Sequence, residues 1–320
     1  MARRRLARLY DDRGTPNAGF NALVKGWLDL SSPVAEHNPP KAFETVREAY
    51  ELALRALLNA PEALSRAAVH KFLLSSLTDL LFKVDLPAEL AGRLSAERIN
   101  ETGFRTTLAQ AVAKNAGENF TNAMVYALSD ALGGQDEVLV DKGLPPHLRK
   151  LLTLKRTFRG TNGETRVLEI PIEADLSIFS RSDPKTSIIV SAKTRLKEVF
   201  HIGTMWKLFF DMIGDEHSLR KWGLEGSNEG KNMLYVFATA DMISKKGRKT
   251  QGPDVERDQA RNLIAVDASF FDYVFVSKHG IPHVAATVDL QGGREALFHE
   301  LGTLLDLIAQ HFAPVGFRLQ

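Results

Sequence analysis

Residues 173–195 constrain the fold of this chain more than any other stretch. Glu173-Ala174-Asp175-Leu176-Ser177-Ile178 and Ser187-Ile188-Ile189-Val190-Ser191-Ala192-Lys193-Thr194-Arg195 lie on either side of the turn-forming run Arg181-Ser182-Asp183-Pro184-Lys185. Both flanks alternate as strands do: Leu176 and Ile178 take one face, Asp175 and Ser177 the other, and Ile189 and Ser191 share a face with Lys193. The turn is short enough to close a hairpin, so Asp175 and Lys193 are predicted to converge near its open end. An acid beside an ammonium at a sheet end suits metal-dependent phosphodiester hydrolysis. That chemistry needs hard oxygen ligands for a divalent ion and a cation to steady the attacking water or the pentavalent phosphate.

Around this hairpin the chain divides into a helical front and an α/β rear. Residues 19–30, 40–59, 61–86 and 94–132 carry apolar side chains at helical spacing, with a break near 100–102 and a glycine stop at Gly133-Gly134. Thr161-Asn162-Gly163 between Thr157-Phe158-Arg159 and Thr165-Arg166-Val167-Leu168 predicts a second hairpin that leads into the Asp175 and Lys193 strands. Residues 196–213 predict an apolar helix, 233–239 and 273–276 buried strands, and 294–311 a closing amphipathic helix. The expected division is 1–135, a helical region packed on or contributing to the core, and 136–320, the α/β core.

Composition narrows the chemistry. With 320 residues and 44% hydrophobic content the chain can bury a large core, and with no cysteine it has no disulfides, thiol nucleophile or cysteine zinc site. No apolar run is long enough to span a bilayer, and Met1-Ala2-Arg3-Arg4-Arg5-Leu6 leads into charge rather than a signal core, so a cytoplasmic protein without membrane contact is expected. The net charge of +2 is too mild to diagnose nucleic-acid binding; the basic runs at 3–8, 155–159, 195–197 and 245–249 say more. Gly292-Gly293 lacks the wider pattern of a phosphate loop, and His279 and His283 lack a third ligand at metal spacing.

Three patches carry a resemblance: Gly19-Phe20-Asn21-Ala22-Leu23-Val24, Lys114-Asn115-Ala116-Gly117-Glu118-Asn119-Phe120, and the acid-to-lysine stretch running on to Phe210. On these the chain resembles the PD-(D/E)XK nuclease superfamily, and more narrowly the type II restriction endonucleases that recognise CCGG-type sites. The resemblance implies a restriction-endonuclease-like α/β (α+β) fold, a mixed central sheet flanked by helices with a helical amino-terminal portion. It also implies Mg²⁺-dependent, sequence-specific hydrolysis of double-stranded DNA at a short G·C-containing palindrome. Asp175 takes the place of the metal-ligating aspartate, preceded by Ala174 instead of proline. Ser191, where most of the superfamily has an acid, would support the metal-bound water or phosphate, and Lys193 would be the catalytic lysine that orients or activates the attacking water. The helix acid expected upstream aligns with Thr121, one turn from Glu118, and the glutamate expected before Gly203 aligns with Ile202, leaving Glu198 as the nearest acid. Glu118 and Glu198 are therefore the candidate additional metal ligands.

The same resemblance places residues just after the lysine in the major groove. Arg195 or Lys197 on guanine, with Glu198 on the cytosine amino group, would read one G·C pair from both sides. Lys245, Lys246, Arg248 and Lys249 form a glycine-containing basic loop suited to phosphates. A palindromic site implies a two-fold homodimer, or a dimer of dimers. Two other readings stand beside this one: a site-specific DNA-binding protein with a decayed nuclease core, and a structure-specific repair or RNA-processing nuclease of the same superfamily.

Overall fold

The alternating halves of residues 173–195 fold as adjacent strands near the middle of a seven-stranded mixed sheet. The computed structural model describes residues 47, 50–51, 53–55, 57–59, 65–78, 102–133, 136–194, 200–227, 232–240, 267–277, 279, 285–286 and 296–319, with backbone alone at 102–116, 200–201, 285–286 and 296–297. Its elements are α1 (Arg66–Ser75), α2 (Thr102–Ala131), β1 (Val138–Lys142), α3 (Pro146–Leu151), β2 (Thr153–Arg159), β3 (Thr165–Pro171), β4 (Leu176–Ser180) and β5 (Ser187–Lys193). After these come α4 (Phe200–Ile213), α5 (Glu216–Trp222), β6 (Met233–Thr239), β7 (Val274–Val276), β8 (Ala285–Ala286), β9 (Ala296–Glu300) and α6 (Leu304–His311). The sheet order is β1-β4-β5-β6-β7-β9-β8, antiparallel from β1 to β5, parallel from β5 to β9, and closed by antiparallel β8.

Burial of both sheet faces explains why β6, Met-Leu-Tyr-Val-Phe-Ala-Thr, reads as an almost unbroken apolar run. Leu176, Ile178, Ile188, Val190, Val236 and Ala238 pack with Phe72, Phe120, Met124 and Ile308 of the helices on one face. Ile189, Tyr235, Phe237 and Val274 pack with Phe210, Ile213 and Leu219 on the other. The helical front thus shares its apolar cluster with the sheet. Its helical residues Tyr50, Ala53, Leu54 and Leu57 are buried at the i, i+3, i+4, i+7 spacing of one helix face.

The sequence assigned residues 294–311 to one helix, and the fold corrects this. Ala296–Glu300 is strand β9, parallel to β7, and only Leu304–His311 is α-helical. Ala-Leu-Phe-His-Glu consists mainly of residues that helices also accept, but the open edge of β7 supplies a ladder and Phe298 fills the core beside it at 2% exposure. Tertiary context overrides propensity here. The second hairpin forms where expected, yet β2 and β3 make a separate two-stranded ribbon outside the seven-stranded sheet, with Lys155 also bridging Glu225. Its turn depends on Gly163 at φ 81°, a left-handed conformation that favours glycine.

The helical front docks through polar contacts. Ser75 Oγ accepts from the Gly302 amide at 2.9 Å, Thr78 Oγ1 donates to the Ala240 carbonyl at 2.5 Å, and Ser277 Oγ donates to the Leu74 carbonyl at 3.0 Å. A Cβ on Gly302 would lie 2.0 Å from the Lys71 carbonyl oxygen. Gly302→Ala is expected to cost about 1–3 kcal/mol by overpacking. Gly117→Ala, with nothing within 4 Å of its Cβ, should be neutral or stabilising by about 0.5–1 kcal/mol. Urea unfolding of the two variants checks the contrast.

Two buried histidines tie this front together. His70 Nδ1 bonds the Tyr50 hydroxyl at 2.8 Å and its Nε2 lies 3.1 Å from Asp130, which also takes Arg66 at 2.7 Å. Burial pushes His70 down to about 4 against the opposing pull of Asp130, and burial pushes His279, bonded to Ser76 Oγ at 2.9 Å, down to about 3. Both are neutral in the fold, whereas the unfolded chain protonates them near the ordinary histidine value. Stability is therefore full above about pH 6.5 and falls as the pH drops toward 4, because the unfolded state binds protons the fold refuses. Melting temperatures across this window should decline less steeply in a His70→Gln/His279→Gln double variant than in the parent chain.

Candidate active site

Where the antiparallel β4–β5 pair meets parallel β6, the start of β4 lies beside the end of β5. Asp175 precedes β4 but continues its ladder: its amide donates to the Val190 carbonyl at 3.0 Å and its carbonyl accepts from the Gly143 amide at 2.9 Å. Gly143 makes that bond at φ 74°, and its own carbonyl takes the Ser177 hydroxyl at 2.8 Å. With the backbone held on both sides, the Asp175 carboxylate reaches across to β5. Its Oδ2 accepts from the Ala192 amide at 2.8 Å and from Lys193 Nζ at 2.9 Å. The two side chains are 24% and 20% exposed, open enough to reach solvent and dry enough for charge to matter.

Glu173 joins them, and sequence reasoning assigned it no role. Its Oε1 lies 3.9 Å from Lys193 Nζ. Residues i and i+2 of an extended segment point to the same side, so a second acid two positions before Asp175 was the available signal. Tyr235 fixes this segment from below by donating its hydroxyl to the Glu173 carbonyl at 3.0 Å. Burial raises the pKa of the Tyr235 phenol, the Asp175 charge adds to the effect, and a hydrogen bond with Ser191 opposes it. Ser191 itself is buried at 3% exposure, beneath the charged pair rather than beside it.

Two carboxylates within reach of one ammonium are a hard-oxygen donor set. Asp175 Oδ1 has no hydrogen-bond partner among the described residues, and Glu173 is half exposed, so both can turn toward an added cation. Magnesium is usually held by one or two carboxylates, with water and substrate phosphate completing its shell, and these residues fit it. No group of three His, Asp or Glu side chains that could hold a metal occurs among the described residues.

Glu118 is not gathered into the site in that way. It is exposed on α2, with no ion pair or hydrogen bond among the described residues, while its neighbours Asn119 and Thr121 are buried at 6% and 5% exposure. Arg195, Lys197, Glu198, Lys245, Lys246, Arg248 and Lys249 lie outside the described residues. No described helix is long and apolar enough to cross a membrane.

No protein-family model matches the chain, and no curated protein matches it. Among solved structures, the chain is similar to one titled "Restriction endonuclease PspGI-substrate DNA complex". The likeness has a TM-score of 0.44 at 14% identity and covers 87% of this chain and 96% of that one.

Tyr235→Phe removes the hydroxyl that holds the Glu173 carbonyl. It should cost about 0.5–1.5 kcal/mol in urea unfolding, the usual contribution of one intramolecular hydrogen bond.

Proposed function

We propose that this chain is a magnesium-dependent endonuclease that hydrolyses double-stranded DNA at a short, symmetric, G·C-containing site. The observation that carries the reading is the contact of Lys193 Nζ with Asp175 at 2.9 Å and with Glu173 at 3.9 Å, at the end of a central strand. Asp175 and Glu173 would hold Mg²⁺, with Glu198 as the further acid suggested by the sequence. The bound ion supplies Lewis-acid stabilisation of phosphoryl charge and lowers the pKa of water.

The chain's own groups do the rest. Lys193 positions the attacking water with one N–H and offsets charge developing on the phosphate oxygens, while its contact with Asp175 keeps the ammonium at the strand end. Tyr235 and Ser191 position the acidic segment from beneath. Arg195 or Lys197 with Glu198 would read a G·C pair, the run Lys245, Lys246, Arg248 and Lys249 would follow phosphates, and a two-fold homodimer would present two such sites to a palindrome.

Digestion of one long plasmid tests the reading. Discrete bands should appear with Mg²⁺ and vanish in EDTA. Asp175→Ala and Lys193→Ala should each lower cleavage by about 100-fold or more, and Glu173→Gln by roughly tenfold or more. Cleavage in EDTA, or full activity of the Asp175 variant, would sink the proposal. A smear in place of bands would remove sequence specificity, and tight site-specific binding without cutting would identify a binding protein instead.

A further inference from the structure

The ribbon formed by β2 and β3 belongs to neither apolar layer beyond its root. Leu154 is fully buried and Ile170 partly so, while every residue from Lys155 to Arg159 and from Thr165 to Glu169 is exposed. Cross-strand register puts Leu154 opposite Ile170, Arg156 opposite Leu168, and Phe158 opposite Arg166, so these six side chains share one ribbon face. Beyond the buried root, that face carries two arginines and two apolar groups, with Phe158 45% and Leu168 50% exposed.

Charge on the two faces differs. Lys155 on the opposite face is neutralised by Glu169 at 2.8 Å, whereas Arg156 makes no ion pair among the described residues. Arg166 makes only a loose contact, 3.8 Å to Glu164 beside the turn. The face therefore alternates cation with apolar side chain and contains no acid.

Position supplies the partner. β3 ends at Pro171, two residues before Glu173 and four before Asp175, so the ribbon springs directly from the acidic segment. The root is fixed where the Ile172 amide bonds the Leu152 carbonyl at 2.8 Å and where Lys155 and Glu225 exchange backbone bonds of 2.8 Å. Seven residues of antiparallel strand extend about 20 Å, more than the roughly 12 Å width of a B-DNA major groove, which admits a two-stranded ribbon.

We infer that the β2–β3 ribbon is a duplex-binding arm: Arg156 and Arg166 contact phosphates across a groove, and Phe158 and Leu168 lie against base edges or sugars within it. This rests on the endonuclease reading and adds to it a second contact surface, separate from the segment after Lys193. The alternation has a physical use, since cations follow the sugar-phosphate rails while apolar groups between them displace groove water and meet thymine methyls.

The test is fluorescence anisotropy with Ca²⁺ in place of Mg²⁺, using a labelled duplex of about 30 base pairs of random sequence titrated at several salt concentrations. Arg156→Gln/Arg166→Gln should flatten the slope of log K against log salt by about 1.8 and weaken binding by roughly tenfold or more at 0.1 M salt. Phe158→Ala should weaken binding by about tenfold with the slope unchanged. A p-benzoylphenylalanine in place of Phe158 should crosslink to the duplex, which tests placement even if a glutamine variant loses the ribbon. Unaltered slope with no DNA crosslink, while the unsubstituted chain still binds, overturns the arm and leaves the endonuclease reading standing. Crosslinking to a second copy of the chain likewise overturns it. Absence of any duplex binding by the unsubstituted chain overturns both.

Discussion

The site depends on a change of strand direction. β5 pairs antiparallel with β4 and parallel with β6. The beginning of β4 and the end of β5 therefore meet at the edge where the parallel strands finish. Open α/β sheets leave room for ligands outside the carboxyl ends of their strands, because the connections diverge there. In this chain the same edge receives an ammonium from the last residue of β5 and a carboxylate from the residue before β4. Moving either strand by one residue would turn its charged group to the opposite face, into the helices.

Charge bookkeeping at that edge is uneven. One lysine faces two acids, so the cluster carries an excess negative charge, and its partial burial makes that excess costly. A cation from solution relieves it, and a bare phosphate without a cation is repelled. Under the proposed endonuclease function, metal and phosphodiester would therefore bind together, each lowering the cost of the other. The floor beneath is polar and satisfied: Tyr235 has a partner for its hydroxyl in Glu173 and for its amide in Asp272 at 2.7 Å. Asp272 in turn lies 3.4 Å from the buried Lys207 of α4.

What could be read from the sequence follows from how local each signal is. The Asp175–Lys193 convergence was legible because alternation and a Ser-Asp-Pro turn are short-range features that leave one register. The 161–163 turn and the buried run 233–239 were legible for the same reason. Strand β9 was not, since nothing within Ala296–Glu300 distinguishes it from the start of α6; the edge of β7, some twenty residues earlier in the chain, decides it. Glu173 was passed over because an acid two positions from another reads as ordinary strand-end polarity until Lys193 is placed between them. Ser191 finds its hydrogen-bond partner in Tyr235, which lies 44 residues away in sequence and one strand away in space.

The ribbon and the acids are one piece of backbone, with mechanical consequences. The anchor at Ile172 lies beside Glu173, while the ribbon tip stands about 20 Å beyond it. Between tip and acid stands the Ile172–Leu152 bond, and on its far side the Tyr235 hydroxyl holds the Glu173 carbonyl. Asp175 is clamped separately, on both sides, by Val190 and Gly143. A load on the ribbon would therefore reach the Glu173 carboxylate before the Asp175–Lys193 contact, which is braced by its own set of backbone bonds.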